Sequence, residues 1–116
     1  MNCLIIDGNK ESCRPLERIV KQSGHLKLVA SCGSAAQAED VFLKHKIDVI
    51  FIDELVQPER AAGFLNYLQF KKPYMIVVRS GKRPTDHAYD VNTTDFIMKP
   101  LSGAQFRKVM NKVIFG

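Results

Sequence analysis

Five short apolar segments recur along the chain, and their spacing limits what it can fold into. They lie at residues 3–6, 26–30, 49–52, 75–78 and 96–98. Most are continuous apolar runs, which are typical of strands buried on both faces of a sheet. Between them, apolar residues return at the three- and four-residue spacing of amphipathic helices. The pattern predicts an α/β domain in which strands alternate with helices.

The length of 116 residues favours one domain over residues 1–116. Right-handed crossovers between parallel strands place helices on both faces of the sheet. We therefore expect a three-layer sandwich of the flavodoxin-like kind, with a five-stranded parallel sheet in the order 2-1-3-4-5. In such sheets, binding sites form beyond the carboxyl ends of the strands, where the strand order reverses.

Local signals predict several helix boundaries. Ser34 and Ser102 each precede a Gln by three residues. This is the capping-box pattern, in which a hydroxyl and an amide side chain bind the first free N–H groups. Pro15 predicts that the first helix begins near Ser12 or is kinked at the proline. The segment 81–91 contains Gly81 and Pro84 among polar residues and predicts only a short or irregular helix.

Composition and charge exclude some classes of protein. No apolar run is long enough to span a bilayer, so we expect a cytoplasmic protein without membrane contact. Residues 1–59 carry seven Lys/Arg against nine Asp/Glu, whereas residues 60–116 carry ten against three. A basic half can attract nucleic acid. Here the cations are spread over several predicted elements, which favours solvated helix faces.

The cysteines and histidines give no sign of a metal or redox site. Cys3, Cys13 and Cys32 are odd in number and lack CxxC spacing, which favours reduced structural thiols. The histidines lie on different predicted elements, so we interpret them as surface residues. They are His25, His45 and His87.

Charged or polar side chains follow four of the predicted strands. Asp7 ends the first and Asp53 the third, Arg79 and Ser80 follow the fourth, and Lys99 follows the fifth. Because the carboxyl ends of parallel strands meet at one edge, these side chains should converge. The order 2-1-3-4-5 would set Asp7 beside Asp53, with Lys99 across a cleft. Cations there would offset the cost of burying Asp53 at the end of an apolar strand.

Three motifs together resemble the receiver domain of bacterial two-component response regulators. They are LIIDGNK at 4–10, DVIFID at 48–53 and DFIMKP at 95–100. The resemblance covers nearly the whole chain, and Lys99-Pro100 after an apolar strand adds to the fold signal. The segments HLKLVASCGSAAQAEDVF and DFIMKPLS are most similar to receivers of the LytTR-type (LytR/AlgR) family. In that family a DNA-binding output domain accompanies the receiver, and these 116 residues hold none.

The resemblance implies roles for individual residues. Asp53 would accept a phosphoryl group from a histidine kinase, and Lys99 would contact the phosphoryl oxygens. Asp7 would hold Mg²⁺, with the backbone carbonyl of Leu55 as a further ligand. These residue types suit the reaction, because a carboxylate is the nucleophile while a metal and an ammonium neutralise the developing charge. Phe96 is either the aromatic residue that moves with a switch hydroxyl or a core residue.

The chain departs from the family's pattern at the site itself. Gly8 replaces the second metal-binding acid, and Mg²⁺ prefers carboxylates, so its affinity should be low. Arg79 stands where the switch hydroxyl would be, and Ser80 comes one residue late. In the loop after the third strand, the proline comes late, at Pro58, and Ala61 replaces a glycine. The loop path should therefore differ.

Formal charges suggest a role for Arg79. With Asp7, Asp53 and Lys99 it sums to zero without a metal. A guanidinium pairs with a carboxylate in a fork geometry, so Arg79 could replace Mg²⁺ and lock Asp53 in an ion pair. The alternative is that Arg79 points into solvent while weakened phosphorylation persists. Glu54 alternates away from Asp53 and is predicted to be a surface acid.

Two functions remain open. In the first, phosphorylation of Asp53 changes the face formed by strands four and five and the last helix, so that homodimers form or dissociate. In the second, the domain is a phosphorylation-independent pseudo-receiver that serves as an interaction or dimerisation module. Gly8 and Arg79 favour the second function, whereas Asp7 and Lys99 favour the first.

An enzyme is not expected. A phosphotransferase with an aspartyl nucleophile would need a second acid two residues after Asp53, where Leu55 stands. A nucleotide-binding enzyme would need a Gly-rich phosphate loop after a strand, and the sequence has none.

Overall fold

The computed structural model describes residues 1–56, 61–80 and 93–115. The weakly predicted helix at 81–91 and the predicted loop change at Pro58 lie outside these residues. The elements described are β1 (Asn2–Ile6), α1 (Lys10–Gln22), β2 (Lys27–Cys32), α2 (Ala35–Lys44), β3 (Val49–Asp53), α3 (Ala62–Lys71), β4 (Tyr74–Arg79), β5 (Asp95–Met98) and α4 (Gly103–Phe115).

The strands form one parallel sheet in the order β2-β1-β3-β4-β5, which confirms the predicted fold. β3 lies at its centre and is buried along its whole length. The register sets Asp53 opposite Val78 on β4. Among the described residues, none of the helices is long and apolar enough to cross a membrane.

Side chains that alternate along the strands pack into two separate cores, one on each face of the sheet. On one face, Phe51 packs with α1 and α4, and its ring centroid lies 5.9 Å from that of Phe106. On the other face, Ile50 and Ile52 pack against α2 and α3. This is the three-layer arrangement expected when apolar strands are covered on both sides.

The start of α1 differs from the prediction. The helix begins at Lys10, because the side-chain oxygen of Asn9 accepts hydrogen bonds from the N–H groups of Glu11 and Ser12 at 2.9 and 3.2 Å. Pro15 therefore lies inside the helix. The start is thus two residues earlier than Ser12, because Asn9 caps the helix there, and the other alternative, a kink at Pro15, stays a prediction.

The two capping boxes are confirmed only for their serines. Ser34 and Ser102 each accept a hydrogen bond from the N–H of the Gln three residues later, both at 3.2 Å. The Gln side chains bind elsewhere. The side chain of Gln37 accepts from the N–H of Gly33, and that of Gln105 donates to the carbonyl of Met98 at 3.1 Å. The second contact ties the start of α4 to the end of β5.

The cysteines are unpaired and buried, as predicted. Burial raises the pKa of Cys3 and of Cys13 to about 12 and also raises that of Cys32. Thiols react as thiolates, so we expect alkylation of Cys3 and Cys13 in the native protein at pH 8 to be roughly a thousandfold slower than in denaturant, and that of Cys32 to be slowed as well. Mass spectrometry after timed iodoacetamide treatment checks this. Reaction of any of the three in the native protein at the denatured rate would contradict it.

Candidate functional site

A cleft of about 660 Å³ opens at the carboxyl edge of the sheet. The residues that line it come from the ends of several strands and the first turn of α1. Those that carry chemistry are Asp7, Ser12, Asp53, Ser80 and Lys99, with Gly8 beside them. The predicted convergence of strand ends is therefore observed for these side chains.

Asp53 and Lys99 form the central contact of the cleft. The Nζ atom of Lys99 donates to Oδ2 of Asp53 at 3.0 Å, and it lies 3.5 Å from Oδ2 of Asp7. Asp53 is only 6% exposed, so the ammonium offsets the cost of burying its charge. The Lys99–Pro100 peptide bond is cis.

The other oxygen of Asp53 binds the backbone. Oδ1 accepts a hydrogen bond from the N–H of Leu55 at 2.9 Å. Together with Lys99, this fixes the orientation of the carboxylate at the end of β3.

Asp7 is held by two neighbours that the sequence reasoning missed. Its Oδ1 accepts from the N–H of Asn9 and its Oδ2 from the hydroxyl of Ser12, both at 2.9 Å. The signal was available, because Asn9 is a preferred N-cap residue and would place Ser12 in the first helical turn, over the end of β1.

The charge of the site sets the pKa of Lys99. Burial by itself lowers the pKa of an ammonium. The hydrogen bond and negative charge of Asp53, supported by Asp7, outweigh that effect and raise the pKa of Lys99 above its ordinary value. Lys99 is therefore a cation at neutral pH.

The predicted ion pair between Arg79 and Asp53 is wrong. Arg79 instead lies beside Glu54, with 3.8 Å between Nε and Oε2. The register explains this: Asp53 pairs with Val78, so the next residues, Glu54 and Arg79, project together to the opposite face. The alternative that Arg79 points freely into solvent is also wrong, since its side chain is only 19% exposed.

Glu54 is likewise misplaced by the sequence prediction of a surface acid. It is 5% exposed, and its Oε1 accepts a hydrogen bond from the N–H of Ser80 at 3.0 Å. Ser80 lines the cleft, whereas Arg79 does not appear among its lining residues. The hydroxyl on the Asp53 side of β4 is therefore that of Ser80.

Phe96 is not a core residue. It is 37% exposed at the edge of the sheet, and the Cζ atom of Arg79 lies 4.7 Å from its ring centroid. This distance is that of a cation–π contact. Phe96 thus touches Arg79, which touches Glu54, on the face of the sheet opposite the side chain of Asp53.

The donor set of the cleft fits a weak Mg²⁺ site. The described residues include no group of three His, Cys, Asp or Glu side chains placed to hold a metal. The histidines they include, His25 and His45, are exposed, as predicted. Mg²⁺ can be bound by one or two carboxylates while it keeps several waters, and Asp7 and Asp53 supply two. With Arg79 elsewhere, two acids and Lys99 sum to −1, so the charge argument against a metal no longer holds.

Three comparisons relate the chain to known proteins. No model of a protein family matches it. It is 28% identical to the sensory transduction protein LytT of Enterococcus faecalis over 117 residues, 97% of this chain and 47% of that protein. It is also 28% identical to LytR of Streptococcus mutans, over 97% of this chain and 48% of that protein. The chain thus spans about half the length of the curated relatives it matches.

Solved structures share the fold. The response regulatory domain of mrkE from Klebsiella pneumoniae superposes with a TM-score of 0.78 at 19% identity, over 97% of this chain and 94% of that one. The signal receiver domain of a modulated diguanylate cyclase from Desulfovibrio desulfuricans gives a TM-score of 0.80 at 13% identity, over 97% and 92%.

The chain has the fold of response regulator receiver domains. Among the curated proteins, it resembles the LytT and LytR regulators.

Proposed function

We propose that this domain is a signalling receiver in which a histidine kinase transfers a phosphoryl group to Asp53. The observation that carries the proposal is the buried carboxylate of Asp53 at an open cleft, 3.0 Å from the ammonium of Lys99 and beside Asp7. A carboxylate oxygen would form the new bond to phosphorus as the bond from phosphorus to the kinase histidine breaks. The proposed output is a signal, not a released product.

In this proposal Lys99 and Mg²⁺ together neutralise the negative charge on the phosphoryl oxygens. Lys99 already contacts Asp53 and would follow the phosphoryl oxygens as charge builds on them. Asp7 and Asp53 would hold Mg²⁺, with the carbonyl of Leu55 as a further ligand. When bound, the metal neutralises charge on the phosphoryl oxygens.

We propose that Ser80 supplies the switch hydroxyl, because Arg79 occupies the position where the family has one. It lines the same cleft as Asp53 and is exposed, so its side chain has access to an incoming phosphoryl group. Pro100 follows Lys99 through a cis peptide bond. The exposed side chain of Phe96 on β5 would change its position when Asp53 is phosphorylated.

The output belongs to a longer protein. Because the curated relatives are about twice as long as this chain, we propose that a LytTR-type DNA-binding domain acts with this receiver in the cytoplasm. Phosphorylation would control a homodimer through the face of β4, β5 and α4. Phe96 and Met98 expose apolar surface there, at 37% and 40%.

Gly8 favours a second candidate function. A site with two acids in place of three binds Mg²⁺ weakly, and Lys99 already satisfies both carboxylates. The alternative is a phosphorylation-independent pseudo-receiver that acts as an interaction module.

Intact-mass spectrometry after incubation with acetyl phosphate and Mg²⁺ separates the two functions. We expect one phosphoryl adduct on the native chain and none on Asp53→Asn, which keeps the shape of the side chain but not its nucleophilic charge. An ordinary receiver treated in parallel controls for the donor. If that control is labelled and this chain is not, the pseudo-receiver is the better account.

A further inference from the structure

The contact chain from Glu54 through Arg79 to Phe96 lies on the face of the sheet opposite the side chain of Asp53. It begins one residue after Asp53 and includes the residue just before Ser80. Neither Glu54 nor Arg79 is among the residues that line the cleft. They are nevertheless the sequence neighbours of two residues of the proposed site, since Glu54 follows Asp53 and Arg79 precedes Ser80.

Glu54 connects the end of β3, which carries Asp53, to Ser80, which directly follows the neighbouring strand β4. Its Oε1 accepts the N–H of Ser80 at 3.0 Å, while its own N–H donates to the carbonyl of Val78 at 3.0 Å. A buried carboxylate that accepts a backbone N–H makes a strong, directional bond. A displacement of Ser80 toward a phosphoryl group would therefore pull on Glu54.

Arg79 connects the same carboxylate to the surface. Its Nε lies 3.8 Å from Oε2 of Glu54, and its guanidinium covers the ring of Phe96 at 4.7 Å. Both side chains of the ion pair are largely buried, at 19% and 6% exposure, so solvent screens the pair weakly. The planar guanidinium can pair with a carboxylate and stack on a ring at once.

We propose that the Glu54–Arg79 pair is a positioning device that transmits the phosphorylation state of Asp53 from Ser80 to Phe96. The proposal rests on the proposed function. It assigns the coupling to charged residues on the face of the sheet away from the side chain of Asp53.

The test places a trifluoromethyl-phenylalanine at position 96 and reads its fluorine NMR resonance with and without acetyl phosphate and Mg²⁺. The same samples are analysed by intact mass. Glu54→Gln keeps an acceptor for Ser80 but loses the charge, and Arg79→Met keeps the apolar stem. Arg107→Met, an exposed position on α4, is the matched control.

We expect the resonance of the native chain and of the Arg107 control to shift when the adduct forms. Glu54→Gln and Arg79→Met should keep the adduct and lose the shift. The double variant should behave like either single variant, because the two residues act as a unit. Each single variant leaves one buried charge without its ion-pair partner, whereas the double variant removes both charges. The double variant therefore provides the test if a single variant fails to fold. A shift that persists in these variants, or its absence in the native chain when the adduct forms, would overturn the proposal.

The unphosphorylated samples test the device if no adduct forms and the proposed function fails. The Glu54 and Arg79 variants should then move the resonance at position 96 to a common new value, and the control should leave it unchanged. An unchanged resonance in both variants would reject the positioning role by itself.

Discussion

Replacing Gly8 with Asp should raise the affinity of the domain for Mg²⁺ about tenfold or more. The change adds a carboxylate to a cleft that already holds Asp7 and Asp53, and a hard divalent cation gains most from an added anionic oxygen ligand. The site has room: a Cβ atom at Gly8 would meet the carbonyl oxygen of Gly33 at 3.5 Å, an ordinary contact. The backbone at Gly8 is not left-handed, so a side chain introduces no strain there.

Isothermal titration with Mg²⁺ measures this effect, and Gly8→Asn is the matched control because it has the same shape without the charge. Asn should produce a much smaller gain than Asp. If Asp and Asn give the same affinity as Gly, the cleft does not hold the metal through this position.

Replacing Lys99 with Met should slow phosphorylation by acetyl phosphate by about 10²- to 10³-fold. Lys99 is the cation 3.0 Å from Asp53 and 3.5 Å from Asp7, and Met keeps its apolar stem while removing the charge. Without it, the two carboxylates face an anionic donor with no paired cation among the described residues, so both the approach of the donor and the charge on the transferring group are disfavoured.

The rate of adduct formation by intact mass measures this loss. Lys108→Met, an exposed lysine on α4, controls for the loss of one positive charge and should react at the native rate. Native-rate labelling of Lys99→Met would remove Lys99 from the proposed chemistry.

The fold could be predicted from the sequence because the same pattern, a strand-length apolar run followed by helical spacing, recurs along the chain. Several apolar runs at strand length, separated by helical spacing, leave few arrangements for a parallel sheet. The same rule placed Asp7, Asp53 and Lys99 at one edge, and the structure confirms that these three side chains meet.

The errors came from side-chain direction, which depends on strand register. Arg79 was expected beside Asp53 because both residues end strands. Because Asp53 pairs with Val78, the residue that follows each of them, Glu54 and Arg79, points to the opposite face of the sheet. Register between non-adjacent segments is set by tertiary packing, so a single sequence does not specify it.

Phe96 shows a second limit. A lone aromatic residue in an apolar strand is commonly buried, but β5 is the edge strand of the described sheet and only one of its faces is well covered. The contact between Phe96 and Arg79 depends on that edge position. Local pattern does not distinguish an edge strand from a central one when the strand is this short.

The most direct test of the central claim is to locate the modified residue. Borohydride reduces an aspartyl phosphate to homoserine, so the chain is treated with acetyl phosphate and Mg²⁺, reduced, digested and sequenced by mass spectrometry. We predict homoserine at position 53, only in the treated sample. An unmodified Asp53, or homoserine at another aspartate, would contradict the assignment of Asp53 as the phosphoacceptor.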